Sequence, residues 1–143
     1  MSSTREAYER GVQLYNAGDL EGLADSFTED AIQVTPNGTA QGRSAILELS
    51  SRDKAAFPER HVTIDVMVEQ GDTIATEWTW VATNTGPLVM PDGTEVPPTG
   101  KRVETKGMDL AQVRDGKLAV YHMYFDNMAV AGQLGLLPES AST

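Results

Sequence analysis

The hydrophobic pattern of this chain changes period once, near residue 60, and that change limits the possible folds more than any other feature. Up to that point apolar residues recur at helical spacing; beyond it they alternate. In 60–70, Val62, Ile64, Val66 and Val68 alternate with His61, Thr63, Asp65 and Met67. In 73–83, Thr76, Trp78, Trp80 and Ala82 alternate with Glu77, Thr79 and Val81. A third long strand spans 102–114 and a fourth spans 117–125. Gly71-Asp72 and Asp115-Gly116 are hairpin turns between them. Asn84 to Gly100, with three glycines and four prolines, reads as a long connection without structure of its own, in the role of a lid or a partner arm. Helices first and antiparallel hairpins after give an α+β fold, a curved antiparallel sheet wrapped over a helical layer.

The first third supplies that layer. Ser3 and Glu6 have capping-box spacing, and Tyr8, Val12 and Tyr15 follow at helical intervals. Gly18 ends this helix and Asp19 caps the next, whose apolar side is Leu20, Leu23, Ala24 and Phe27. Residues 31–35 alternate as a short strand, broken by Pro36-Asn37-Gly38. Ser44 caps a third helix with Ala45, Ile46 and Leu49 inward, and Phe57-Pro58 closes it. The tail Ala129–Leu137 is short and apolar, Pro138 ends it, and 139–143 are expected to fray. With 143 residues and no internal repeat or linker, the chain reads as one domain, 1–143.

The last strand carries the chemistry. Side chains along a strand alternate faces, so Val120, His122, Tyr124 and Asp126 share one face, and Tyr121, Met123 and Phe125 the other. The first set brings an acid, a phenol and an imidazole together. Asp126 there is a candidate general base, because burial against aromatic rings raises a carboxylate's pKa toward neutrality. It is equally placed to cap the tail helix. His122 and Tyr124 are candidate donors to a substrate oxygen, or ordinary core side chains. Trp78 and Trp80 are a candidate flat wall against an aromatic ligand, or core. The Tyr121, Met123 and Phe125 face also needs a cover, and a second copy is the simplest, so a homodimer through the sheet face is expected.

Composition excludes several functions. The formal net charge of −10 repels phosphate backbones, so no nucleic-acid partner is expected. The absence of cysteine rules out disulfides and thiolate metal sites and fits a reducing, cytoplasmic compartment. The N-terminal stretch has no apolar run of a signal peptide, and no segment approaches the ~20 apolar residues of a membrane span. Asn37-Gly38-Thr39 reads as a turn. No phosphate loop, no Gly-x-Ser-x-Gly elbow and no zinc spacing occurs, so neither cofactor nor metal is expected.

Several short segments, in order and spacing, carry a resemblance. They are Phe57-Pro58-Glu59-Arg60-His61-Val62, Gly71-Asp72-Thr73-Ile74-Ala75-Thr76-Glu77-Trp78, and Pro97-Pro98-Thr99-Gly100-Lys101-Arg102-Val103. Asp115-Gly116-Lys117-Leu118 and Phe125-Asp126, followed by Gln133-Leu134-Gly135-Leu136-Leu137-Pro138, complete the set. Residues 58–138 thereby resemble the SnoaL-like polyketide (ester) cyclases of the nuclear transport factor 2-like superfamily. The resemblance implies a cone-shaped sheet around helices with a deep apolar cavity. It implies cofactor-free intramolecular aldol chemistry on a hydrophobic, carbonyl-rich small molecule, with Asp126 as acid/base and His122 or Tyr124 holding the enolate or acceptor oxygen. Two alternatives stand beside it. One is a small-ligand binding protein without turnover. The other is an epoxide hydrolase-like enzyme, against which Trp78 and Trp80 count, because they occupy positions where that chemistry needs Arg and Asp.

Overall fold

Helix α1 (Ser3–Ala17) turns Ala7, Tyr8 and Gly11 inward, and Gly18 stops it with a left-handed φ of 74°, a conformation cheap only without a Cβ. The computed structural model describes residues 3–90 and 92–137; Pro138 and the fraying expected for 139–143 lie outside them. Asp19 caps α2 (Leu20–Asp25), accepting from the Gly22 amide at 2.9 Å. Phe27, assigned to this helix by its spacing, instead opens strand β1 (Phe27–Thr35). The cause is tertiary: the Ser26 carbonyl accepts from the Leu118 amide at 2.9 Å, drawing the chain into the sheet. Strand β2 (Gly38–Gln41), which the sequence pattern did not reveal, folds back on β1.

Helix α3 (Arg43–Ala56) starts two residues earlier than expected. Its N-cap is Gly42, with no side-chain cap, and Ser44 lies inside the helix. The Arg43 guanidinium ties this end down by donating to the Phe27 carbonyl at 2.6 Å and 3.2 Å. Strands β3 (Glu59–Gln70) and β4 (Thr73–Thr83) form the first long hairpin. The 84–100 connection has structure of its own, a small hairpin of β5 (Leu88–Val89) and β6 (Glu95–Val96). Buried Asn84 holds it: its amide donates to the Ala56 and Gly86 carbonyls, and its oxygen accepts from the Thr99 amide and hydroxyl. Strands β7 (Arg102–Arg114) and β8 (Lys117–Phe125) follow. They are joined by Asp115 and Gly116 at φ 53° and 76°, the left-handed pair that matches the strand twist. Helix α4 (Asn127–Gln133) closes the described chain.

The sheet order is β2-β1-β8-β7-β4-β3. It is mixed rather than wholly antiparallel, because β1 runs parallel to β8. The whole of α3 and the three long hairpin strands separate the two in sequence, so no tight turn dictates their direction. Helix α1 packs across β3, β4, β7 and β8 on one side of the sheet. The main core gathers there, around Ala7, Tyr8, Phe27, Ile46, Ile74, Ala111 and Leu118.

Two facing assignments differ from the sequence pattern. In β3 the register shifts between Ile64 and Val66. This bulge sends Ile64 and Met67 to the core and leaves Val66 and Val68 exposed, where simple alternation had put Val62, Ile64, Val66 and Val68 together. In β8 the faces are exchanged. Tyr121 points to the helices, stacking 6.2 Å from Tyr8 and lying 5.8 Å from Phe27. Tyr124 is 56% exposed on the outer face, beside His122.

Candidate functional site

The inner face of β7 carries Val103, Thr105, Gly107, Asp109, Ala111 and Val113, all buried. Asp109 is the only acid in this row and is 4% exposed. Three neighbouring elements aim donors at it. Tyr8 of α1 donates its hydroxyl to Oδ2 at 2.7 Å, Tyr121 of β8 donates to the same oxygen, and Trp78 Nε1 donates to Oδ1 at 3.0 Å. Thr76 Oγ1 shares a 2.7 Å hydrogen bond with the Tyr8 hydroxyl, extending the network along β4.

Loss of hydration pushes the Asp109 carboxyl above the ordinary carboxylate range, while its bonds from Tyr121, Tyr8 and Trp78 pull it back. Burial and then the Asp109 charge push both phenols far above their usual value, so they remain donors. A carboxylate with its proton affinity raised by burial, flanked by two phenol donors, is equipped to accept a proton and to stabilise a developing oxyanion. Gly107 makes room for this: a Cβ there would lie 2.4 Å from the Trp78 ring and 2.7 Å from the Tyr124 carbonyl oxygen.

A second polar cluster lies along the same inner face. Arg60 of β3, whose side chain is 3% exposed, donates through Nη1 to Asp53 Oδ2 at 2.5 Å. Its guanidinium sits 4.0 Å above the Tyr15 ring. The Tyr15 hydroxyl donates to Asp53 and accepts from Trp80 Nε1 at 2.8 Å. Although 36% of the Asp53 side chain is exposed, loss of hydration pushes its carboxyl upward, against the charge of Arg60 and the Tyr15 bond. Arg60 Nη2 is buried and has no hydrogen-bond acceptor among the described residues, a situation that ordinarily costs ~1–3 kcal/mol.

Of the residues singled out in the sequence, Trp78 and Trp80 meet at the site, one tied to each cluster. The other three lie elsewhere. Asp126 is exposed and caps α4, accepting from the Ala129 amide at 3.0 Å, the second of the two roles its position allowed. His122 and Tyr124 face away from the helices and touch each other through a 3.4 Å Nδ1–hydroxyl contact. Asp109, Tyr8, Tyr121 and Arg60 were missed. The signal for Asp109 was present: in 102–114 the other charged residues, Arg102, Glu104, Lys106 and Arg114, share one parity. Asp109 falls on the opposite one, with Val103, Ala111 and Val113.

A curved mixed sheet closed over N-terminal helices is the architecture of the nuclear transport factor 2-like and ketosteroid isomerase-like folds. A family model described as SnoaL-like polyketide cyclase matches residues 5–134, and the chain belongs to that family. Among solved structures it is similar to IdmH from Streptomyces antibioticus, proposed to be a polyketide cyclase. The identity is 27% over 92% of this chain and 98% of that one, with a TM-score of 0.77. It is also similar to AclR from Streptomyces galilaeus, proposed to be a hydroxylase, at 21% identity over 95% and 87% of the two chains and a TM-score of 0.79. TerC, co-crystallized with polyporic acid, is 20% identical over 94% and 99% of the two chains, with a TM-score of 0.75. Comparison with curated protein sequences gave no match. No helix among the described residues is long and apolar enough to cross a membrane.

Proposed function

We propose that this protein is a cofactor-independent acid/base enzyme acting on a hydrophobic, carbonyl-rich small molecule, of polyketide cyclase type, with Asp109 as the base. The observation that carries this reading is a buried carboxyl receiving three neutral donors and no cation. Asp109 takes a proton from a carbon flanked by two carbonyls, breaking C–H and forming O–H on its carboxyl. A phenol of Tyr8 or Tyr121 turns its hydrogen bond to the enolate oxygen. The enolate carbon attacks a second carbonyl of the same molecule, a C–C bond forms, and the alkoxide takes the proton back from Asp109. Trp78 and Trp80 form the apolar wall against which the substrate folds. A quinone-like ligand such as the polyporic acid bound by TerC has the flat, carbonyl-bearing shape this wall would take. The exposed outer-face residues Val66, Val68, Met108, Leu110 and Tyr124 give a homodimer through the sheet face its apolar surface.

The test compares two carboxylates on linear polyketide esters. Asp109→Asn lowers turnover about 10²–10⁴-fold with the fold retained by circular dichroism. Asp126→Ala leaves turnover within a few-fold and lowers stability by about 1 kcal/mol, the worth of an N-cap. If Asp126→Ala abolishes turnover and Asp109→Asn does not, the base is Asp126 as its place after the last strand had implied. Ligand binding with unchanged turnover in both variants refutes the acid/base reading.

A further inference from the structure

We propose that Arg60 Nη2 is a hydrogen-bond donor to a neutral carbonyl oxygen of the ligand, forming a second recognition point on the same inner face as Asp109. The proposal rests on the reading of the inner face as the site of a carbonyl-rich molecule. Arg60 projects from the inner parity of β3, opposite Ala82 of β4. Its plane is fixed from two directions, by the Tyr15 ring beneath it and by Asp53 at Nη1. That leaves the Nη2 edge buried, oriented and without an acceptor among the described residues.

The two clusters share one strand. Trp78 bonds Asp109 and Trp80 bonds Tyr15, and positions two apart on a strand stand ~7 Å from each other. Asp109 and Arg60 themselves pair with Thr76 and Ala82, ~20 Å apart along β4, so the Arg60 contact is a separate point on the inner face.

The charge balance selects the acceptor. Arg60 is already paired with Asp53, and Asp53 itself accepts from Tyr15. A carboxylate or phosphate at Nη2 would bring a second, uncompensated negative charge next to Asp53. A ketone, ester or quinone oxygen accepts the hydrogen bond and leaves the pair balanced. As an acceptor carbonyl gains negative charge during C–C bond formation, the guanidinium edge strengthens its hold.

The experiment titrates the protein's tryptophan fluorescence with three probes on one skeleton: 9-fluorenone, fluorene and fluorene-9-carboxylate. The wild type binds fluorenone about tenfold or more tightly than fluorene. Infrared spectroscopy shows the fluorenone C=O stretch moved to lower wavenumber on binding. Arg60→Lys keeps a charge for Asp53 but has no second nitrogen, and it brings the ratio to near one and abolishes the infrared shift. Arg60→Met combined with Asp53→Leu removes both charges together, leaves no unpaired buried ion, and gives the same collapse. Asp126→Ala, at the exposed cap of α4, keeps the fluorenone preference. Fluorene binding without any preference for fluorenone, or a preference that survives both Arg60 variants, overturns the Arg60 assignment alone. An Arg60-dependent preference for the carboxylate overturns it in favour of an anion site. If not even fluorene binds the wild type, the inner face is not a hydrophobic ligand site, and both readings fall.

Discussion

Asp109, buried, and Asp53, about one third exposed, are acids held in different ways. Asp109 is held by neutral donors and Asp53 by a cation, but burial raises both above the ordinary carboxylate range. A carboxyl with a raised folded-state pKa binds its proton more tightly folded than unfolded. Stability therefore declines as pH rises from the unfolded value through the raised folded one, and is flat above it. Urea midpoints measured from about pH 4 to about pH 8 are expected to fall over the lower part of that range. In Asp109→Asn the fall is shallower, because one of the two contributing groups no longer titrates. A wild-type midpoint that rises over the same interval would contradict the burial of these groups. Under the proposed acid/base reading, activity is expected to follow the opposite sense, appearing as Asp109 loses its proton.

The elements of the sheet show which residues the pattern could and could not reveal. Strand β7 is dense: Gly107 admits the Trp78 ring with no room for a methyl group. Gly107→Ala is expected to cost about 1–3 kcal/mol through overpacking and to shift the Trp78 emission, read by denaturant melts and fluorescence. Asn84 plays the corresponding part for the 84–100 arm. Asn84→Ala releases Ala56, Gly86 and Thr99 together, and limited proteolysis is expected to move to this arm while the β3–β4 hairpin stays protected.

Strand β7 alternates polar and apolar so cleanly that its burial was legible from parity alone, and the same parity marks Asp109 as the misplaced charge. Strand β8 could not be read that way, because both its faces carry aromatic or aliphatic residues. Tyr121 and Tyr124 are the same residue type on opposite faces. Only the register with β7, where Asp109 pairs with Met123 and Leu110 with His122, decides which tyrosine reaches the acid. The bulge in β3 and the parallel pairing of β1 are likewise tertiary, set by partners distant in sequence. Arg60 and Asp53 belong to elements whose neighbourhood no local period encodes.

At the scale of the whole molecule the two sides of the sheet differ in what they need. The inner side is covered by α1 and filled by aromatic rings, and the outer side exposes Val66, Val68, Met108, Leu110 and Tyr124. Sedimentation equilibrium at micromolar concentration is expected to show a dimer, and Leu110→Lys to return it to a monomer with an unchanged far-ultraviolet spectrum. A wild-type monomer under those conditions would leave the outer face without a partner.

The parallel pairing of β1 with β8 also governs how the molecule comes into being. On the ribosome the helices and β1 emerge first, but the strand that joins β1 to the hairpins, with the Leu118 side chain and the Tyr121 ring that pack with Phe27 and Tyr8, emerges among the last. Helix α1 can already pack on β3, β4 and β7, but β1 stays unjoined to the long hairpins until Lys117–Phe125 is free. A nascent chain stalled before Lys117 would present Phe27 and the β8-facing edge of β1 to solvent. Of the three donors to Asp109, Tyr8 and Trp78 precede it in the chain and only Tyr121 arrives with this last strand.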